Sequence, residues 1–185
     1  DRQFARVVEA RQVGFGQRLL VRVFFSVIEA LLFRLKIICL ELLSYEKASF
    51  SAPEMAVLRE VRVRVVNGVE EEVSWFPPFE ENLRVTLRCY SRSRSASTPP
   101  PIPDTPLKAV VSVRNRLTHP KDVDDLALSQ QEREQVGTVF SWFSALLKWH
   151  SDTEIALISR YKAELNESVA AQIRSMNEPT GGGEA

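Results

Sequence analysis

The stretch from Gln17 to Glu46 constrains the fold of this 185-residue chain more than any other. Its apolar residues recur every three or four positions, which is the spacing of one face of an α-helix. The predicted core positions are Leu20, Phe24, Val27, Leu31, Leu35, Ile38 and Leu42. Such a helix is roughly 45 Å long at about 1.5 Å per residue, which predicts a kink or an intermolecular contact. Charged residues interrupt the run, so we do not expect it to span a membrane.

The remaining patterns predict further helices and one β-hairpin. Alternating Val and Arg residues from Val61, an Asn67-Gly68 turn and a returning run to Trp75 predict the hairpin. Arg62 and Arg64 are expected to pair with glutamates 70–72, and the hairpin needs helices or a partner chain to pack against. The other predicted helices cover 52–60 and 79–90, a helix from Pro106, one capped by Ser129, and one from Ser151 or Asp152 to about Met176.

We therefore predict a mainly all-α fold with a small hairpin at about residues 61–75. A single helical domain is expected over residues 17–177, after a loose segment over 1–16 and before a disordered Gly-rich tail over 178–185. The two cysteines, Cys39 and Cys89, lie in apolar helical runs and are interpreted as buried thiols in a reducing, cytoplasmic compartment. No Cys/His metal spacing and no phosphate-binding Gly-rich loop is present, so no metal or cofactor is expected.

Positive charge is concentrated in one part of a chain whose formal net charge is zero. Residues 82–121 contain one acid, Asp104, and eight basic residues: Arg84, Arg88, Arg92, Arg94, Lys108, Arg114, Arg116 and Lys121. Such a segment attracts a polyanion, although a solvated charged face is the alternative. Residues 91–106 are interpreted as a flexible Ser/Pro-rich loop. We favour a simple solvated loop there over a mobile clamp formed by Arg92 and Arg94.

One short motif inside this basic segment combines an arginine, an amide and a histidine. Asn115 and His119 are four residues apart and share a helix face, whereas Arg114 lies about 140° away from His119 on an ideal helix. Pro120 predicts that the helix ends near His119, where Arg114 and His119 are expected to meet. The simpler alternative is a helix end with a solvated arginine and a histidine that caps the last carbonyls. Glu29, on the first helix, is interpreted as making an intrahelical pair, with a carboxylate directed at this motif as the alternative.

The Arg114-Asn115-Arg116-Leu117-Thr118-His119 segment resembles the HEPN superfamily, whose motif is Arg, four to six residues and then His. Ile28-Glu29-Ala30, Leu35-Lys36, and the His119-Pro120-Lys121 continuation before a capped aromatic helix are also similar to a bacterial branch of the family. The resemblance implies a helical bundle that dimerises, with the two motifs facing each other, and metal-independent RNA cleavage. His119 would act as general base or acid, Arg114 would stabilise phosphate charge, and Asn115 would orient His119 or the phosphate.

The expected function is therefore a HEPN-type endoribonuclease, a toxin or defence-system effector. RNA, a second copy of the chain and a cognate antitoxin or other defence protein are the expected partners, and no membrane is involved. Some relatives have a tyrosine two residues after the histidine, where this chain has Lys121. Glu29 and Lys121 are predicted accessory residues, and the predicted RNA-binding residues are Arg84, Arg88, Arg92, Arg94, Lys108 and Arg116. Other relatives carry the motif without catalysis, so a module that binds RNA, a nucleotide or a protein is the alternative.

Overall fold

The computed structural model describes residues 2–121 and 127–177, with side chains from residue 15 to residue 176 of those ranges. Its order is α1 (Arg2–Ser44), α2 (Ala52–Arg59), β1 (Val61–Val66), β2 (Val69–Ser74), α3 (Phe79–Arg94), α4 (Asp104–Thr118) and α5 (Gln130–Asn177). The predicted mainly helical fold with a small hairpin is confirmed. The predicted tail over 178–185 and an acidic stretch over 122–125 lie outside the described residues.

Helix α1 is longer than predicted and buries a different face. It begins at Arg2 and spans 43 residues, so the predicted loose segment over 1–16 is wrong. Glycines 14 and 16 lie inside it, because one glycine costs a long helix only about 1 kcal/mol. Two predicted core positions are exposed, Leu20 (57%) and Val27 (45%). The buried stripe is Val21, Phe24, Phe25, Ile28, Leu32, Leu35, Ile38 and Cys39.

The core lies where α1 packs on α3 and α4 packs on α5, with α2 against α3. The Phe24 ring joins the two pairs, since it makes an edge contact with Phe143 of α5 at 5.5 Å between centroids. Cys39 and Cys89 are fully buried free thiols, as predicted. Burial raises the pKa of Cys39 to about 11 and that of Cys89 to about 12, so both thiols are unreactive near neutral pH.

The hairpin forms as predicted but does not pack against the helices along its length. Strands β1 and β2 are antiparallel, with Arg64 opposite Glu71. The turn residues Asn67 and Gly68 both have positive φ, 52° and 80°, which is the type I′ geometry that Asn-Gly favours. Val63 and Val65 remain 60% and 65% exposed. The expectation that helices of this chain cover the hairpin is therefore wrong.

The connection between α3 and α4 is shorter than predicted. Helix α3 continues to Arg94 and ends at Ser95, whose φ of 50° turns the chain. Helix α4 begins at Asp104, because Pro106 is tolerated within the first turn of a helix. The loop between them is fixed by two tryptophans of α5: the ring N–H of Trp149 donates to the Ser97 carbonyl at 3.0 Å, and that of Trp142 to the Pro100 carbonyl at 3.3 Å. The two tryptophans are thus buried packing residues.

Helix α5 is one continuous helix of 48 residues, about 72 Å long. The predicted start of a separate helix at Ser151 or Asp152 is wrong, because both residues are helical. Asp152 makes an i,i+4 ion pair with Lys148 at 2.8 Å, which supports the helix at that point. Within residues 2–121 and 127–177, no helix combines the length and the apolar content that crossing a bilayer requires.

Candidate functional site

The site predicted from the sequence lies where α4 ends. The last helical residue is Thr118, and His119 follows with φ −126° and ψ 62°. Its backbone N–H donates to the Asn115 carbonyl at 3.0 Å, so the predicted end of the helix before Pro120 is confirmed. Asn115 and His119 are both exposed. Within the described ranges the His119 side chain has no recorded hydrogen bond or ion pair, which leaves its imidazole available to a ligand.

Arg114 points toward α1 and is held there by two contacts. Its Nη2 lies 2.5 Å from Oε1 of Glu29, and its guanidinium carbon lies 5.1 Å from the centre of the Phe25 ring. The Arg114 side chain is 31% exposed and the Glu29 side chain 45%. The favoured interpretation, that Glu29 makes a pair within its own helix, is therefore wrong. The alternative is observed: the Glu29 carboxylate is directed at Arg114 of the motif.

A single chain does not bring Arg114 and His119 into direct contact. In the described residues no hydrogen bond connects their side chains, because Arg114 is occupied on the α1 side while His119 leaves the helix. Their separation around an ideal helix is about 140° for an i,i+5 pair. The expectation that the two side chains meet at the helix end is therefore not met within one chain.

Arg114 and Glu29 also line a cavity of about 380 Å³ between α1, the end of α2 and the start of α3. Lys36 and Glu60 form an ion pair on this cavity, with Nζ and Oε1 2.7 Å apart. Lys36 is 3% exposed, and sequence analysis missed its pairing. A signal did exist, since Lys36 continues the buried face of α1 four residues after Leu32. A buried lysine on such a face requires an acid nearby.

All five of the predicted RNA-binding arginines have carboxylate partners inside the fold. These ion pairs are Arg84–Asp104 at 2.5 Å, Arg88–Glu54 at 3.4 Å, Arg92–Glu54 at 2.9 Å, Arg94–Glu154 at 3.5 Å and Arg116–Glu132 at 2.6 Å. The concentration of basic residues along the sequence is thus largely balanced in space by acids from other segments. Lys108 and Lys121 are exposed. RNA binding by these six residues, and the accessory role of Lys121, stay predictions.

The clamp considered for Arg92 and Arg94 is not present. Both arginines lie on α3 rather than on a flexible loop. Arg92 also donates to the backbone carbonyl of Ser49 at 3.1 Å, which fixes it against the chain before α2. Arg94 is more enclosed, with a side chain that is 15% exposed. The two residues therefore connect helices.

A second polar cluster, which the sequence analysis missed, surrounds Tyr90. The Tyr90 hydroxyl donates to Oε1 of Glu154 at 2.5 Å, and Nδ1 of His150 lies 2.9 Å from the Tyr90 hydroxyl oxygen. Because the hydroxyl has one proton, His150 must donate through Nδ1. Burial is the first cause that raises the pKa of Tyr90 and lowers that of His150. No local spacing signals this cluster, since 60 residues separate Tyr90 from His150.

No group of three or more His, Cys, Asp or Glu side chains arranged to hold a metal ion occurs in the part of the chain that the structure describes. Comparisons with models of protein families, with curated proteins and with solved structures gave no match. Function is therefore inferred from the side chains themselves.

Proposed function

We propose that this protein is a HEPN-type endoribonuclease that cleaves RNA without a metal ion, through attack of the 2′-hydroxyl on the adjacent phosphate. One observation carries the proposal. Glu29 of α1 forms an ion pair with Arg114 of α4, beside the exposed side chains of Asn115 and His119. Glu29 fixes an arginine that still has unused N–H donors, and His119 supplies an exposed imidazole that can accept or donate a proton.

The reaction needs a base, an acid and stabilisation of phosphate charge. His119 removes the proton from the 2′-hydroxyl, whose oxygen then forms a bond to phosphorus. The bond from phosphorus to the 5′-oxygen breaks, and that oxygen receives a proton from a second, protonated imidazole. The products are a 2′,3′-cyclic phosphate and a 5′-hydroxyl. Arg114 donates hydrogen bonds to the non-bridging oxygens as their charge grows, and Asn115 orients the imidazole or the phosphate.

Two copies of the chain are proposed to complete the site, because one histidine cannot be base and acid at the same moment. An exposed apolar stripe on the second half of α5 supports the self-association part of this proposal. Its exposed apolar residues are Ile155, Ile158, Tyr161, Leu165, Val169, Ile173 and Met176. The last of these seven positions lies 21 residues after the first, so the average step is 3.5 residues, which is the repeat of a coiled-coil seam. A second copy of α5 is the occupant that this repeat fits.

Cleavage of a labelled single-stranded RNA in buffer with EDTA tests the proposal. The wild-type protein should produce fragments with 2′,3′-cyclic phosphate ends. His119→Ala and Arg114→Ala should each lower the rate by about 100-fold or more, since removal of a general base or of a transition-state donor has effects of that order. Arg160→Ala is the matched control, because Arg160 is exposed on α5 away from the motif. An inactive wild type, or equal cleavage by His119→Ala, overturns the catalytic proposal.

A biological role as a toxin or defence-system effector, with an antitoxin or another defence protein as partner in the cytoplasm, is part of the same proposal. It is supported by the family resemblance of the motif.

A non-catalytic module that binds RNA, a nucleotide or a protein is the second candidate. The Glu29 pair favours it, because the carboxylate already neutralises Arg114 and lies where it would repel a phosphate. This candidate predicts that Arg114→Ala abolishes binding of RNA while the length distribution of the RNA stays unchanged with the wild-type protein.

A further inference from the structure

The cavity beside Arg114 combines features that a nucleobase requires. It is lined by residues of α1, the end of α2, the segment before α3, α3 itself and α4, among them Phe33, Lys36, Glu60, Phe76, Asn82 and Arg114. Its volume of about 380 Å³ lies within the range of about 300–1,000 Å³ that small-molecule sites occupy. Because Arg114 is part of the wall, a base in the cavity would be attached to a phosphate near the proposed reaction site.

Two phenylalanines at the edge of this cavity are exposed. Phe33 is 64% exposed on α1, and Phe76, just before α3, is 79% exposed. An exposed phenylalanine has no polar group to solvate it, so leaving two of them on one cavity has an energetic cost. Stacking of a base on an aromatic ring stabilises single-stranded RNA binding by about 1–3 kcal/mol per base. The two rings therefore fit the flat face of a base.

Glu60 supplies hydrogen-bond acceptors, and its backbone is held in an unfavourable conformation. Its φ of 57° and ψ of 41° are left-handed, a conformation that costs a residue with a side chain about 1–2 kcal/mol. This left-handed conformation ends α2 at Glu60, as it ends α3 at Ser95. Oε1 of Glu60 accepts a hydrogen bond from Lys36, and a carboxylate has about four lone-pair positions, so acceptor capacity remains. The Lys36 charge also offsets the repulsion between this carboxylate and an RNA phosphate.

Asn82 adds a complementary donor to the same wall. Its Oδ1 accepts a hydrogen bond from the Thr86 hydroxyl at 3.2 Å, which fixes the orientation of the amide. The amide nitrogen has no recorded partner in the part of the chain that the structure describes. One wall of the cavity thus presents both a carboxylate and an N–H₂ group.

We propose that this cavity binds a guanine base of the RNA substrate. Among the four bases only guanine has two adjacent N–H groups, N1–H and the 2-amino group, on its pairing edge next to a carbonyl. The two N–H groups donate to the Glu60 carboxylate, the O6 carbonyl accepts from Asn82, and Phe33 and Phe76 contact the ring faces. That the guanine belongs to an RNA substrate rests on the proposed function. Separate measurements of nucleotide binding and of RNA cleavage distinguish a failure of the cavity from a failure of the ribonuclease.

Binding of guanosine monophosphate and cleavage of RNA are measured on the same variants. Titration of the purified protein with GMP, AMP, CMP and UMP, followed by calorimetry or by NMR, should give GMP at least 10-fold tighter binding than the others. Phe76→Ala should weaken GMP binding by about 10-fold or more, since one stacking contact is lost. Phe76 is a safe position because its side chain is mostly in solvent. Phe15 on α1 is also exposed but does not line this cavity, so Phe15→Ala is the matched control and should leave binding unchanged.

Glu60→Gln tests the base preference. The glutamine carbonyl can still accept the Lys36 hydrogen bond, while its N–H₂ group faces the guanine donors, so GMP should lose its advantage over AMP. In RNA with single guanines, cleavage next to guanine should fall to the level of the other bases. GMP selectivity without RNA cleavage by the wild type supports the cavity and overturns the ribonuclease. Cleavage that is indifferent to base, to Phe76→Ala and to Glu60→Gln overturns the cavity and leaves the ribonuclease standing.

Discussion

Both terminal nitrogens of Arg92 donate hydrogen bonds to Glu54, Nη1 to Oε1 at 3.1 Å and Nη2 to Oε2 at 2.9 Å. The same carboxylate accepts the backbone N–H of Ser51 at 2.9 Å, which is half of the capping box at the start of α2. One buried acid therefore both begins α2 and fastens it to α3. The hydrogen bonds from Arg92 are the largest cause that lowers the pKa of Glu54 to about 2.

Because the pKa of Glu54 is lowered in the folded protein, the free energy of unfolding depends on pH in the acidic range. The carboxylate has its ordinary pKa of 4.5 when unfolded and about 2 when folded, so its contribution is complete above pH 4.5 and is lost as the pH falls toward 2. This difference corresponds to at most about 3 kcal/mol at neutral pH, since half-exposed Arg92 is screened by water. Urea unfolding at pH 7 should show Glu54→Gln destabilised by about 1–3 kcal/mol.

The matched control for that measurement is Glu72→Gln. Glu72 lies on the exposed hairpin, 3.9 Å from Arg59, and should change stability by less than about 0.5 kcal/mol. Between pH 4.5 and pH 2 the free energy of unfolding of Glu54→Gln should fall less than that of the wild type. Parallel pH profiles for the two proteins would contradict the prediction.

His150 predicts a second loss of stability at milder pH. Burial lowers its pKa below the ordinary 6.5, so the unfolded chain binds a proton more readily, and stability falls as the pH decreases from about 6.5. The groups around the imidazole are Tyr90, Glu154, Arg94 and Arg34. His150→Asn keeps an N–H donor near the Tyr90 hydroxyl and removes the titration. Its Tm should therefore change less between pH 7 and pH 5 than that of the wild type, by scanning calorimetry.

Glu29→Gln should separate a positioning role from a structural one. The ion pair with Arg114 is partly exposed, so the variant should lose less than about 1 kcal/mol of stability. If Glu29 fixes Arg114 for catalysis, the variant should lower kcat of RNA cleavage by about 10-fold with little change in KM. A charge-matched control is Glu164→Gln, which removes a surface pair with Arg160 on α5. A variant with unchanged kcat would show that the pair serves the fold alone.

The exposed seam on α5 predicts a specific effect on self-association. Replacing Ile158 and Leu165 with Glu puts two like charges into a seam that a second α5 would bury, and should convert a dimer into a monomer by sedimentation. Both side chains are 64% exposed within one chain, so the Tm of the monomer should shift by only a few degrees. Ala163→Glu is the control, because this exposed residue lies about 140–160° around the helix from both replaced positions. An unchanged dimer would place its interface elsewhere.

Local patterns determined which elements could be predicted. The Asn67-Gly68 turn and the capping boxes at Ser51 and Ser129 use contacts within four residues, and all three are present. The start of α1 and the continuation of α5 past Ser151 were not predictable from the same signals. Glycines and cap residues also occur inside long helices, where their neighbours compensate for their poor propensity.

Only part of the candidate site could be predicted from the sequence. Arg114, Asn115 and His119 stand close together in the chain, whereas the partner of Arg114 lies 85 residues earlier. Glu60 likewise pairs with Lys36, which lies 24 residues before it in the chain. Charge along the chain was misleading for a related reason: a stretch rich in arginine attracts acids from other helices, and its surface potential is then far weaker than its composition indicates.

The protruding hairpin has one more consequence, which concerns solubility. A two-stranded sheet has two free edges, and each presents backbone groups that a strand of another molecule could pair with. Val63, Val65 and Val69 would make such pairing favourable, since they are exposed and β-branched. The charged residues that alternate with or oppose them, Arg62, Arg64 and Glu70 to Glu72, act as gatekeepers. Neutralising these charges should therefore turn a harmless projection into a nucleus for aggregation.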